Sequence, residues 1–262
     1  MVLLFGKEEL KNYKNNRGQV TIFVIVGVLI VVSVTVFSII YLFPRGGDSF
    51  GSDADDSMEG CVKEAIEDSI DIILPNGGVI EPEKYIMYRG EKYNYLCYNP
   101  DYYMGCYNLY PLIEKDVEEL LRDNTKDEVQ TCFDSFREEI ESKGFEVTGG
   151  ATSYSIDLLP KKVSVSLKKE IATSKGESSQ KFEDFSFEFN SPLYDILEVV
   201  NEIVNDEANF CHFEYSGFMS LYPEFDIRRW NYRGSNLYVV GYRNSNMEFK
   251  FAVRSCAGPP GI

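Results

Sequence analysis

Six cysteines, one histidine and a large excess of carboxylates set the chemistry open to this 262-residue chain. The cysteines are Cys61, Cys97, Cys106, Cys132, Cys211 and Cys256. None stands in a C-x-x-C pair, and the nearest two, Cys97 and Cys106, are separated by eight residues, which is not the spacing of a zinc site. An even number of cysteines, all placed after a long apolar run, reads as a disulfide framework made in an oxidising compartment. Many connectivities are open to six cysteines. The favoured one has Cys97–Cys106 as a local clamp, Cys61–Cys132 tying two helices and Cys211–Cys256 tying the C-terminal region.

His212 is the lone histidine, so any mechanism or metal site needing two imidazoles is excluded. Flanked by Cys211 and Phe213, it is either a general base or packed structure. A thiol enzyme built on Cys211 and His212 needs an unpaired Cys211, against the even count. Any two of the 42 Asp and Glu side chains can meet in a cleft as a glycosidase pair, so their abundance singles out none. Runs such as Glu114–Glu119 and Glu138–Glu141 read as solvated helix faces. Asp53, Asp55, Ser57 and Glu64 fall at positions one, three, five and twelve of a calcium loop, but Met58 occupies the position where its sharp turn needs Gly. These acids also suit a helix N-terminus. No G-x-S-x-G, H-E-x-x-H, Walker or G-x-G-x-x-G motif is present. The sequence therefore assigns no catalytic residue, cofactor or metal ligand.

Tyrosine is the feature that stands out. Half of the 18 tyrosines lie between Tyr85 and Tyr110. Tyr gives a large contact area with a polar handle, which suits recognition of proteins or sugars; strands also favour it for packing. Within the Cys97–Cys106 clamp, Asn99-Pro100-Asp101 is turn chemistry. Tyr102, Tyr103 and Tyr107 are thus the candidate binding surface.

The elements that position these residues follow from periodicity. Helices are expected at Met58–Ile73, Leu112–Leu121 and Asp127–Ser142, and another opened by Ser191 as N-cap and Pro192. Strands are expected at Tyr85–Tyr88 and Tyr93–Tyr98, around Val163–Leu167 and Phe185–Phe189 as a long hairpin, and in a meander over Phe225–Tyr232, Leu237–Tyr242 and Met247–Cys256. Segregated helices and antiparallel strands indicate an α+β class. Residues 44–57, rich in Gly, Asp and Ser, read as a flexible linker. Residues 58–262 read as one disulfide-stapled domain, with 144–152 as the place for any subdivision.

Residues 20–43 contain no charged side chain or histidine. As a helix they would extend about 36 Å, enough for a hydrocarbon core of about 30 Å. The first 19 residues carry +2 and the remainder −18. The positive-inside rule then makes 1–19 a cytoplasmic basic leader, 20–43 a transmembrane helix and the rest extracytoplasmic. The junction Asn16-Arg17-Gly18-Gln19-Val20-Thr21-Ile22-Phe23 resembles archaeal class III signal peptides of type IV pilin-like proteins. That resemblance implies cleavage between Gly18 and Gln19 on the cytoplasmic side, with the apolar helix retained. Pilins carry Glu at the fifth mature position, where this chain has Phe23.

The resulting expectation is a single-pass, membrane-anchored, non-enzymatic cell-surface protein. Its acidic outer domain binds a protein or glycan partner, or packs into an envelope assembly. Two alternatives are a self-assembling pilin-like filament subunit and an exported carboxylate-dependent hydrolase. A net charge of −16 argues against nucleic acid as a partner, since phosphates need clustered Lys and Arg.

Overall fold

A computed structural model describes residues 25–34, 50–144, 146–149, 153–168, 171–175, 178–182 and 185–259. The chain divides into two units, Met1–Gly51 and Ser52–Ile262.

In the first unit residues 25–34 are helical (α1). Their apolar side chains, from Ile25 to Val34, are exposed, and the Ser33 hydroxyl donates to the Leu29 carbonyl at 2.6 Å. That bond satisfies the only side-chain polar group of the segment within the helix itself. Among the described residues no helix is long and apolar enough to cross a membrane. The described part of the apolar run is about 15 Å of helix; the remainder of 20–43, the leader 1–19 and the Gly18–Gln19 junction lie outside the described residues.

The second unit is α+β. Helix α2 (Phe50–Ile73) buries Met58, Val62, Ile66, Ile70 and Ile73. It begins before Met58, so the linker reading of 44–57 is corrected from Phe50 onward, and 44–49 lie outside the described residues. The physical reason is that residues 50–57 carry no apolar stripe by which the sequence would mark a helix. The calcium-loop segment 53–64 is accordingly helix. Gly77, at φ +69°, lies in the turn after α2, and a Cβ there would stand 2.7 Å from that of Asn94.

Strands β1 (Tyr85–Tyr88), β2 (Glu91–Tyr98) and β3 (Tyr107–Asn108) are followed by α3 (Ile113–Asn124) and α4 (Lys126–Ser142). Cys61–Cys132 joins α2 to α4. Strands β4 (Glu146–Gly149), β5 (Ser153–Leu159), β6 (Lys162–Lys168), β7 (Ile171–Lys175), β8 (Ser178–Phe182) and β9 (Phe185–Asn190) form two three-stranded antiparallel sheets, β4-β7-β8 and β5-β6-β9. The expected hairpin between the Val163 and Phe185 regions is the β6–β9 pair, extended by β7 and β8.

Helix α5 (Leu193–Phe210) starts one residue later than expected, with Pro192 as N-cap and the Ser191 hydroxyl accepting from Leu193 N–H at 3.3 Å. A short helix, α6 (Tyr215–Leu221), precedes β10 (Phe225–Tyr232), β11 (Ser235–Tyr242) and β12 (Glu248–Arg254). These strands and β1–β3 make one sheet in the order β1-β2-β12-β11-β10, with β3 on β2. The pair β2–β12 is parallel, which corrects the all-antiparallel expectation. Alternation of apolar and polar residues marks a strand's two faces, not the direction of its partner.

Helix α5 is the centre of this unit. Leu193, Ile196, Leu197, Val200, Ile203 and Val204 are all but inaccessible to solvent. Along its length α5 contacts β2, β3, β11 and β12 of the large sheet and β5 and β6 of a small one. Phe249, Phe251, Val253, Tyr238 and Val240 form the sheet's inner face. The opposite face is aromatic, with buried Tyr93 and Tyr95 among half-buried Tyr88, Tyr98, Trp230 and Tyr232.

Candidate functional site

The loop between β2 and β3 is held by its own sequence and by the end of the chain. Asn99 makes the turn: its Oδ1 accepts from Asp101 N–H at 3.0 Å and its Nδ2 donates to Gly105 O at 2.7 Å. Tyr103 N–H donates to Ala257 O at 3.0 Å, and Cys256 N–H donates to Met104 O at 2.7 Å. Gly105 has no side chain because a Cβ there would lie 2.5 Å from Ala208 O, at the C-terminal end of α5. Cys97–Cys106 closes the loop, and Cys211–Cys256 fixes the end of α5 to the strap after β12. With Cys61–Cys132, these are the three pairs favoured from the sequence.

The loop presents its rings outward. Tyr102 is 45% exposed, Tyr103 66% and Tyr107 69%, with Met104 also exposed. Tyr107 lies on β3 rather than in the loop. Tyrosines of this stretch could instead pack over the Leu112–Leu121 helix, but the exposure of these three rings does not fit that packing. Val117 and Leu121 are buried, but Leu112 is itself mostly exposed. The other tyrosines of 85–110 divide between the buried aromatic face and the surface.

Beside the loop lies a groove of about 740 Å³. Tyr102, Asn231, Arg233, Asn236, Arg254 and the Cys211–Cys256 bridge form much of its wall. The Arg254 guanidinium stands 5.4 Å from the Tyr102 ring centre and 5.8 Å from that of Tyr98. It also donates to the Asn99 carbonyl, which ties it to the loop.

Close to this groove is a polar group that the sequence reading missed. Glu207, on α5, is fully buried. Its Oε1 accepts from Asn236 Nδ2 at 2.8 Å and from the Tyr238 hydroxyl, while Oε2 has no hydrogen-bond partner among the described residues. Burial, and then the neighbouring carboxylate, push the Tyr238 hydroxyl far above the usual tyrosine range. The signal was present: Glu207 continues the apolar stripe three residues after Val204.

His212 is about half exposed. Its Nδ1 is 3.2 Å from an Arg229 guanidinium nitrogen and its Nε2 is 3.6 Å from Glu214. Cys211 is disulfide-bonded, so the two do not form a thiolate–imidazole pair.

A second groove, of about 560 Å³, runs along the outer face of α5. Asp195, Glu198, Glu202, Asp206 and Glu224 line it, together with Tyr194 and Tyr222. Burial first, then Asp206 and Glu198, raise the Glu202 carboxyl above the usual range. Burial and Glu198 act likewise on Glu114 of α3. Among the described residues no three His, Cys, Asp or Glu side chains form a group able to hold a metal ion. No family model, curated protein or solved structure matches this chain.

Proposed function

We propose that this is a membrane-anchored surface protein whose disulfide-stapled outer domain binds a protein or glycan of the cell envelope through the tyrosine loop. The apolar run 20–43 and its basic N-terminal flank support the anchor and its orientation. Three disulfides support an oxidising location for the domain. The observation that carries the binding role is the exposure of Tyr102, Tyr103 and Tyr107 on a segment fixed by a disulfide and by backbone bonds to the C-terminal strap. A loop ordered beforehand loses less entropy on binding than a mobile one. Capture of isolated cell envelopes by the full-length protein in mild detergent tests this. Tyr103→Ala is expected to weaken capture while leaving stability within about 0.5 kcal/mol. Unchanged capture contradicts the reading.

One observation favours a second reading, an exported hydrolase. The α5 groove brings several carboxylates together beside aromatic rings, and Glu202 has the raised proton affinity of a general acid. Release of reducing ends from envelope polysaccharide, abolished by Glu202→Gln, would establish that activity; equal release by the variant would end it.

A further inference from the structure

The groove beside the tyrosine loop has a charge opposite to that of its surroundings. In a chain at −16, its wall holds Arg233 and Arg254 and no Asp or Glu. The arginines that pair with carboxylates are Arg122, Arg137 and Arg228. Among the described residues, then, neither groove arginine has an acidic partner. Arg254 is held in place, whereas Arg233 is exposed. Arg254 is stacked near Tyr98 and Tyr102 and bonded to the loop carbonyls. Arg233 occupies the β10–β11 turn at φ 52°, with its guanidinium 5.2 Å from the Tyr232 ring centre. A guanidinium fixed before binding, as that of Arg254 is, matches a carboxylate's two oxygens with little further ordering.

The remaining wall decides what bears the carboxylate. At about 740 Å³ the groove is far larger than one carboxylate group and lies in the range of small-ligand sites. It offers a flat ring, Tyr102, and the exposed side-chain amide of Asn231; that of Asn236 is already bonded, its Nδ2 to Glu207 and its Oδ1 to Asn231. A peptide bound by strand addition would need an open strand edge alongside it. The open edge here is that of β10, whereas the groove crosses the paired ends of β10, β11 and β12, and residues 255–259 lie beyond the last strand. A ring for the C–H face of a sugar, the Asn231 amide for a hydroxyl and guanidinium groups for its acid form a coherent set. We infer that this groove binds a carboxylate-bearing saccharide of the uronic acid type, with Arg233 and Arg254 on the carboxylates and Tyr102 against a sugar ring. The inference rests on the envelope-binding reading and names the ligand class for it.

Calorimetry on the full-length protein in mild detergent tests the assignment with three probes: a galacturonic acid hexamer, its methyl ester and an Asp-rich peptide of equal charge. The acid hexamer is expected to bind, more weakly as salt rises, with ester and peptide each at least about tenfold weaker. Arg233→Gln should lose about tenfold or more for the hexamer at unchanged melting temperature, and Arg233→Lys should recover part of it. No hexamer binding, equal binding of the ester or the peptide, or an unaffected Arg233→Gln variant would overturn the inference. Tyr103 is not part of this wall, which separates the two claims. Envelope capture that depends on Tyr103 without any uronate binding overturns only the saccharide assignment.

Discussion

At the scale of single residues, burial separates tyrosines that sequence alone treats alike. Tyr93 is 3% exposed and Tyr103 is 66% exposed, though only ten positions apart. Tyr93 meets Tyr88 and Trp230 edge-on, and burial lifts its hydroxyl to about 12. Tyr93→Ala is therefore expected to cost about 3 kcal/mol or more, as aromatic truncations in a core do. Tyr103→Ala should cost less than about 0.5 kcal/mol, both read from denaturant midpoints. Comparable losses would show that the loop rings are packing residues. The turn chemistry of Asn99-Pro100-Asp101 made the projecting loop legible, as did the spacing of Cys97 and Cys106. Glu207 was not recognised, because the stripe was read only for apolar side chains. The partners of its carboxylate, Asn236 and Tyr238, come from a strand far along the chain.

At the scale of elements, α3 and α5 set acids against acids. Glu114, Asp116 and Glu202 are all raised, each first by burial and then by neighbouring carboxylates. A carboxyl whose folded pKa lies above its unfolded value destabilises the fold when ionised, and that loss is relieved as pH falls through the folded pKa. Glu214 has the opposite shift, lowered by the Gly217 N–H and His212, so its contribution persists until pH falls below the usual range. The melting temperature should therefore rise as pH is lowered from about 8 toward the ordinary carboxylate range. Glu114→Gln should raise it at pH 8 by about 1–2 °C and reduce the pH dependence. A melting temperature that falls across this window contradicts the account. Helices were legible because apolar residues recur at three and four along α2 to α5. Helix α6 was not: it spans one short stretch capped by Glu214, an unusual N-cap whose carboxylate accepts from Ser216 and Gly217 N–H. The hairpin β7–β8 is not legible in the sequence, since Thr173–Lys181 is Ser- and Lys-rich and lacks apolar alternation.

At the scale of the whole molecule, the proposed surface protein joins an apolar N-terminal run to an α+β unit in one chain. Residues 25–34 are helical with their apolar side chains exposed, and the α+β unit holds three disulfides, which suit an oxidising compartment. If the junction at Gly18 is a class III signal, N-terminal sequencing from native membranes should begin at Gln19; an intact Met1 excludes processing. Orientation is the claim on which anchor, disulfides and surface recognition all depend, and lysines occur on both sides of the apolar run. A membrane-impermeant amine reagent applied to sealed cells, followed by peptide mapping, reads both sides at once. The account predicts labelled lysines in the outer domain, including Lys63, Lys143 and Lys162, with any retained Lys7, Lys11 and Lys14 labelled only after lysis. Labelling of the leader lysines with protection of the outer domain would contradict it.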